Sequence, residues 1–499
     1  MKPAAASAPS ASSAPSAAAA AVAAVAAVAA VAAAAVSVLM QGCATPHSVA
    51  APVHGPLQSS WEAAPEGIPV AADLPDAPPW WEKFNDEGLN RLMRRALVQN
   101  LDLKLAQARV LEARAERRAA AAAQWPQLTA SAGDQYSHLP SSLVAPGSSP
   151  RDLEVAAGVS WDVDLFGLAR NRRRAAEAGL RASQYDRDDV RLALLAEIAT
   201  NYVQYRLYQS QYAIATKSAN SQAETVRITR VRFEQGAASR LDLERVLSQL
   251  AITRAAVPQA LEQAQSARSL LVLLLAGTPQ SLAADLPDTL SATVQMPVSD
   301  PVDVLLTPAG IIARRPDIRS AEQRLVAAAA NLKAALAERY PQLTLAALFG
   351  SAGTSVNQLM TSASRSWEYG GSLTLPLFDF GRIRAAIDLA DAQQLEAYLL
   401  YEQTVRGALQ ATQSAIVLYA QGVLRARQLQ TALESARTAA RLARRQYEEG
   451  TLSLLEVLDA ERTAYDTEIT WSQSAAEVSL RLIALYRTMG VPPPEVRAN

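Results

Sequence analysis

The chain repeats itself at long range. Residues 125–130 read WPQLTA and residues 340–345 read YPQLTL. Residues 164–167 read DLFG against FDFG at 378–381, and residues 232–236 read RFEQG against QYEEG at 446–450. The offset from Pro126 to Pro341 is 215 residues; from Gly167 to Gly381 and from Gly236 to Gly450 it is 214. Self-similarity at one fixed period marks a duplicated structural unit. The fold must therefore build one plan twice, over about 81–295 and again over about 296–490.

Each unit opens with a helix of moderate length, predicted over 101–124 and 316–339. Pro316 suits a first helical position, where its missing N–H would be unpaired anyway. Both helices should stop at an X-Pro step, Trp125-Pro126 and Tyr340-Pro341. Proline cannot continue the ladder and keeps its predecessor out of the α region.

Two strands follow in each copy, expected at about 126–138 and 153–165, then 341–351 and 367–378. Leu153, Val155, Ala157, Val159, Trp161, Val163 and Leu165 alternate with Glu154, Ala156, Gly158, Ser160, Asp162 and Asp164. Trp367, Tyr369, Leu373, Leu375 and Leu377 alternate in the same way with Glu368, Gly370, Ser372 and Thr374. Period two means one apolar and one polar face. Strands of about 10–13 residues have the length of a tilted membrane β-strand. A soluble hairpin is the alternative, but a lone hairpin is marginal in water and leaves its edges unpaired. Four strands cannot close a membrane barrel either, so closure would need further copies of the chain.

After Gly167 and Gly381 the chain should be helical over 169–235 and 383–449, without an internal proline. Some 65 residues span roughly 100 Å. Gly236 and Gly450 mark turns, and helices return over 241–276 and 452–489, the first with an expected kink at Pro258. Half of the residues are apolar but only 5% are aromatic. Alanine makes the difference and lets long helices approach closely. Val405, Leu409, Thr412, Ile416, Tyr419 and Val423 form a heptad stripe, which winds helices left-handedly around neighbours. The expected fold class is mainly α with a membrane β part. A long coiled-coil scaffold would explain the helices but neither the strands nor the duplication.

The formal net charge is −1, which gives no electrostatic footprint for nucleic acid. The three histidines, His47, His54 and His138, sit in Pro/Ser/Gly-rich sequence, and there is no Cys/His cluster with metal-ligand spacing. Nor is there a nucleophile–base pair or phosphate loop, so an enzyme is not expected. Residues 17–40 are almost entirely Ala and Val, and Leu39-Met40-Gln41-Gly42 leads into the only cysteine, Cys43. This resembles a bacterial lipoprotein signal, with 1–42 removed and Cys43 lipidated. Met40 stands where such signals usually carry Leu, and Gln41 is larger than usual. The alternative is an uncleaved anchor, since the run exceeds the ~20 residues that span a bilayer. Residues 43–80 should form an extended segment, and 491–499 a tail.

Helix, Pro-ended turn, strand pair, Phe-Gly turn and giant helical hairpin, all given twice, resembles the TolC-like outer-membrane efflux protein family. The similarity covers nearly the whole chain after residue 80, most specifically GTLSLLEVLDAERTAY at 450–465 and GAASRLDLERVLSQL at 236–250. Cys43 points to its lipoprotein branch. The resemblance implies a homotrimer in the bacterial outer membrane. Three protomers would share a 12-stranded β-barrel and one α-barrel tunnel through the periplasm, with helices near 87–96 and 302–313 as a belt. It implies a passive duct served by a periplasmic adaptor and an inner-membrane pump, surrounded by outer-membrane lipid, with no cofactor beyond the lipid on Cys43. A protein-secretion duct of the same fold is the other implied reading.

The resemblance also places function at the periplasmic tip, at the turns Gly236 and Gly450. Glu456 and Asp459, three apart on one helix face, match family positions that project acids into the lumen. Threefold symmetry would crowd them, raising their pKa values and attracting cations. Tyr447 and Asp242 match positions whose hydrogen bond holds the tip shut. Where relatives place an arginine in the closing network, this chain has Leu452; Arg240 in the other turn is the substitute. On spacing alone, these acids are solvated helix-surface groups and Tyr447 a core aromatic.

Overall fold

The computed structural model describes residues 61, 69–72, 79–137, 151–281, 297 and 304–490. The expected signal segment, Cys43 and the tail 491–499 lie outside the described residues, as does most of 43–80. The helices are α1 Glu87–Gln99, α2 Leu101–Ala122, α3 Leu168–Glu234, α4 Arg240–Leu274, α5 Pro308–Arg314, α6 Pro316–Ala337, α7 Arg382–Glu448 and α8 Leu454–Met489. The strands are β1 Val70–Ala71, β2 Gln127–Tyr136, β3 Arg151–Val163, β4 Leu305–Leu306, β5 Gln342–Gly353 and β6 Arg365–Thr374. The order α2–β2–β3–α3–α4 recurs as α6–β5–β6–α7–α8.

The two giant helices, α3 and α7, have 67 residues each. Both start on a left-handed glycine, Gly167 at φ 86° and Gly381 at φ 87°. A side chain would be strained there. Just before each glycine an aspartate turns back to hold the helix start. Asp164 accepts from the amides of Ala169 (3.2 Å) and Arg170 (2.8 Å). Asp379 accepts from those of Gly381 (3.0 Å) and Ile383 (2.9 Å). α4 runs unbroken through Pro258. In α7, Val405, Thr412, Ile416 and Tyr419 of the heptad stripe are buried. β6 starts two residues before the expected strand and ends at Thr374 instead of 378. It stops short of Pro376, which has no N–H for the ladder. The link 351–365 is not all loop, for it holds a helical turn at Val356–Leu359.

β2, β3, β5 and β6 form one antiparallel sheet in that order. The register pairs Leu128 with Val159, Val159 with Ala347 and Ala347 with Tyr369, and likewise Phe349 with Trp367. Directly opposed residues share a face. One face therefore carries Leu128, Val155, Val159, Trp161, Leu345, Phe349, Trp367, Tyr369 and Leu373. The other carries Thr129, Ser131, Glu154, Ser160, Asp162, Thr344, Ser366, Glu368 and Ser372. The apolar face is solvent-open in the single chain, with Leu128 75%, Trp367 70% and Phe349 59% exposed. β2 and β6 are edges with no partner among the described strands.

The largest core lies halfway down the helices. Trp80, Trp81 and Phe84 pack with Leu89, Leu92 and Met93 of α1, Leu195, Ile198 and Tyr202 of α3, and Ile483 and Tyr486 of α8. Trp80 stacks on Tyr486 at 5.7 Å between ring centroids. β1 and β4 pair in parallel at this level, and the Trp61 indole donates to the Leu306 carbonyl at 2.7 Å. This girdle ties the two halves together and leaves the helical hairpins projecting beyond it.

Candidate functional site

Both hairpins end in the same turn, atom for atom. After α3, the Gly236 amide donates to the Phe233 carbonyl (3.0 Å) and the Ala237 amide to that of Arg232 (2.7 Å). After α7, the Gly450 amide donates to Tyr447 (3.0 Å) and the Thr451 amide to Gln446 (2.9 Å). This is the Schellman closure, which needs a left-handed residue at its centre. Gly236 sits at φ 74° and Gly450 at φ 77°.

The returning helices begin with matching capping boxes. Ser239 caps α4, and the Asp242 carboxylate accepts from the Ser239 amide (3.2 Å) and hydroxyl (2.7 Å). Ser453 caps α8, and Glu456 accepts from the Ser453 amide (3.1 Å) and hydroxyl (2.7 Å). The S-x-x-[D/E] spacing requires this reciprocal pair. The bonds from Ser239 hold Asp242 below the usual carboxylate range, and those from Ser453 do the same for Glu456.

These partners revise the expected closing network. Asp242 is turned to its own cap, and Tyr447 lies elsewhere. The Tyr447 ring is buried in the tip core with Leu243, Val246, Leu454 and Val457, and the Arg232 guanidinium lies 4.3 Å from its centroid. Arg240 pairs with Glu244 at 2.6 Å, one turn along its own helix. Asp459 pairs with Arg462 at 2.8 Å. Glu456 and Asp459 are both exposed. Within one protomer the Glu456 shift is downward, because its serine cap acts on it and no second carboxylate crowds it.

The residues that do link the two hairpins are arginines that sequence reasoning passed over. Arg232, in the last turn of α3, donates to the carbonyls of Tyr447 (2.8 Å) and Glu448 (3.3 Å). It thereby caps the negative end of α7. Higher up, Arg444 of α7 donates to Glu461 of α8 (2.5 Å), and to the Ser221 hydroxyl (2.6 Å) and Thr225 hydroxyl (3.2 Å) of α3. Above it Arg437 bonds Glu468. A cavity of about 170 Å³ opens beside this seam, lined by Gln222, Arg444, Glu461 and Tyr465 among others. Burial raises the Tyr465 phenol. One oxygen each of Glu461 and Gln222 is buried without a partner. Two arginines thus tie the second copy's hairpin to the first, beside the shared apolar core of the tip.

The tip offers no nucleophile beside a base, and among the described residues no group of three or more acids, histidines or cysteines could hold a metal. Its chemistry is that of a polar latch around an apolar core. The family profile described as outer membrane efflux protein matches residues 92–277 and 308–491, one match to each half of the duplication. The chain belongs to the outer membrane efflux protein family. It is similar to the cation efflux system protein CusC of Escherichia coli, at 28% identity over 458 residues, covering 91% of this chain and 97% of that one. It is also similar to the solvent efflux pump outer membrane protein SrpC of Pseudomonas putida, at 29% identity over 467 residues, covering 91% and 96%. The solved outer-membrane channel OprN superposes with a TM-score of 0.77 at 30% identity, over 88% of this chain and 98% of that chain. The protein is an outer-membrane efflux channel, and an enzyme has no place in this family.

Proposed function

We propose that the chain is one third of a closed duct: three copies joined through β2 and β6 into a single barrel of twelve strands above one tunnel of helices. The observation that carries this is the sheet. One face is apolar and open to solvent, the other is polar, and neither edge strand has a further partner among the described strands; a closed barrel would turn the apolar face outward. An unpaired backbone group in hydrocarbon costs several kcal/mol. Closed symmetry among identical copies removes both edges at once. Adaptor and pump partners are supported by the relatives named above, whose names describe components of efflux systems. Those names, cation and solvent, also favour small cargo. In the trimer, Glu456 and Asp459 from three tips form an acidic ring in the lumen, Arg232 and Arg444 hold the tips in place, and Cys43 carries the lipid anchor.

The test is reconstitution. Purified protein should have the mass of three copies in detergent and conduct in a planar bilayer. A monodisperse single copy that inserts without conducting would overturn the proposal. Replacing Glu456 and Asp459 by Ala should weaken block by multivalent cations; equal block places the acids outside the lumen.

A further inference from the structure

Where the sheet meets the helices, the protein concentrates arginine in an unfavourable place. α1, α2, α4, α6 and α8 each carry an acid in their first turn. That complements the positive end of a helix dipole. α3 and α7, the two that start at the sheet, carry none within the helix, and neither does the short α5. The first two turns of α3 and α7 instead hold Arg170, Arg172, Arg173 and Arg174, and Arg382 and Arg384, all exposed or half-buried. Arg170 is paired with Asp164 at 3.1 Å and Arg172 with Glu338 at 3.0 Å. Arg173, Arg174 and Arg384 have no ion pair among the described residues, and Arg382 acts on the Asp379 carboxylate by its charge. Asp164 and Asp379 already cap the two helix starts with carboxylates, so the exposed cations beyond them are left open to an anion from outside the chain.

Their level in the molecule indicates what that is. β3 ends at Val163 opposite Leu343, and β5 begins at Gln342 opposite Thr374. Arg172 shares a cavity with Val163 and Leu343 at the sheet's end, and all six arginines lie within about 10 Å of the first residue of their own helix along its axis. An aromatic rim separates the sheet from the arginines. Trp125 is 69% exposed and Phe380 90%. Phe166 stacks on Tyr340 at 4.7 Å, and Phe378 meets Phe380 at 4.6 Å. Aromatic rings favour the boundary between hydrocarbon and headgroups. At the same level a cavity of about 240 Å³ opens, lined by Val163, Leu165, Phe166 and Leu343, with Asp162, Asp164 and Arg172 at its polar side. Apolar sheet, aromatic rim, a recess with an apolar side, and cationic collar follow one another in the order of the parts of an anionic phospholipid.

We propose that this arginine collar binds the phosphate headgroups of anionic phospholipids in the leaflet facing the helices, with the neighbouring recess taking part of an acyl chain. The proposal rests on the outer-membrane placement but not on the gate or on any partner. Free phosphate would satisfy the arginines alone; the rim and recess commit the site to a lipid.

The test uses the assembled full-length protein in neutral detergent, with equal amounts of phosphatidylglycerol and phosphatidylcholine added and retained lipid counted by native mass spectrometry. The wild type should retain phosphatidylglycerol in preference by roughly tenfold or more, given several arginines at a membrane surface. R173Q/R174Q/R382Q/R384Q should lose most of that preference while retaining phosphatidylcholine as before. R230Q/R254Q, far from the sheet, should keep it. Raising salt should erase the preference in the wild type, and inorganic phosphate at the lipid's concentration should leave it intact. Should the fourfold variant fail to assemble, R173Q/R174Q and R382Q/R384Q made separately should each lower the preference. A wild type without preference, a collar variant with full preference, or equal competition by inorganic phosphate overturns the proposal. Planar-bilayer conductance, measured on the same samples, reports separately on the duct.

Discussion

Arg232 breaks the internal symmetry of the molecule. Its counterpart in the second copy is Gln446, whereas Tyr447 is matched by Phe233. The Arg232 clasp on the end of α7 therefore has no symmetric counterpart; what the second hairpin returns is Arg444, on Ser221 and Thr225 of α3. A hydrogen bond to a charged donor is worth about 1.5–3 kcal/mol. Replacing Arg232 by Gln should raise the open fraction of single channels by roughly tenfold or more. Tyr447→Phe should change little, because Arg232 uses the ring face and the carbonyl but not the hydroxyl. A large effect of Tyr447→Phe with none of Arg232→Gln would restore the phenol as the latch. The capping acids give a pH signature. Asp242 and Glu456 are held below their ordinary values, so their support of the tips is complete above the usual carboxylate range. It is lost as pH falls through the depressed values. Amide exchange at the first turns of α4 and α8 should accelerate on acidification, and Ser239→Ala with Ser453→Ala should flatten that dependence. The two capping boxes were legible in the sequence as S-x-x-[D/E]. Spacing alone made Glu456 and Asp459 a shared face and left the serines unread. The Arg232 clasp was not legible, because its acceptors are backbone carbonyls 215 and 216 residues away.

At the level of elements, the strands and giant helices followed from periodicity and punctuation. Period-two alternation, X-Pro stops and left-handed glycines are local, so they survive in a bare sequence. β6 shows the limit. Its alternation continues to Leu377, but the ladder stops at Thr374 because Pro376 cannot donate. The helical turn at Val356–Leu359 was hidden by loop-like composition. The sheet's two faces now make separate predictions. Val155 lies midway along β3 on the apolar face, where an arginine costs about 2–4 kcal/mol at the bilayer midplane. Ser131 lies on the polar face. Val155→Arg should reduce the folded, heat-modifiable form seen on gels, and Ser131→Arg should leave its amount unchanged. Equal losses would mean that the apolar face does not meet lipid.

For the whole molecule, the duplication explains why one chain supplies only part of a wall. Two copies of a hairpin give four strands with the first and last edge unpaired, and doubling the unit brings those edges no nearer. Closure must come from symmetry among chains. Cys43, the only cysteine, makes this testable with the anchor removed. A Cys43→Ser protein should lose lipid labelling at its N-terminus but still assemble and conduct, since the sheet and helices contribute everything the wall needs. In that cysteine-free background, Thr129→Cys on β2 can be combined in turn with cysteines at Ser366, Glu368, Gly370 and Ser372 of β6. All five positions share the polar face. If β2 of one copy pairs with β6 of the next, one combination should form a disulfide ladder that ends at three chains on a denaturing gel. A ladder ending at two chains would replace the threefold duct with a twofold assembly. Cross-linking of every combination to the same slight extent would show that the edges meet only by collision.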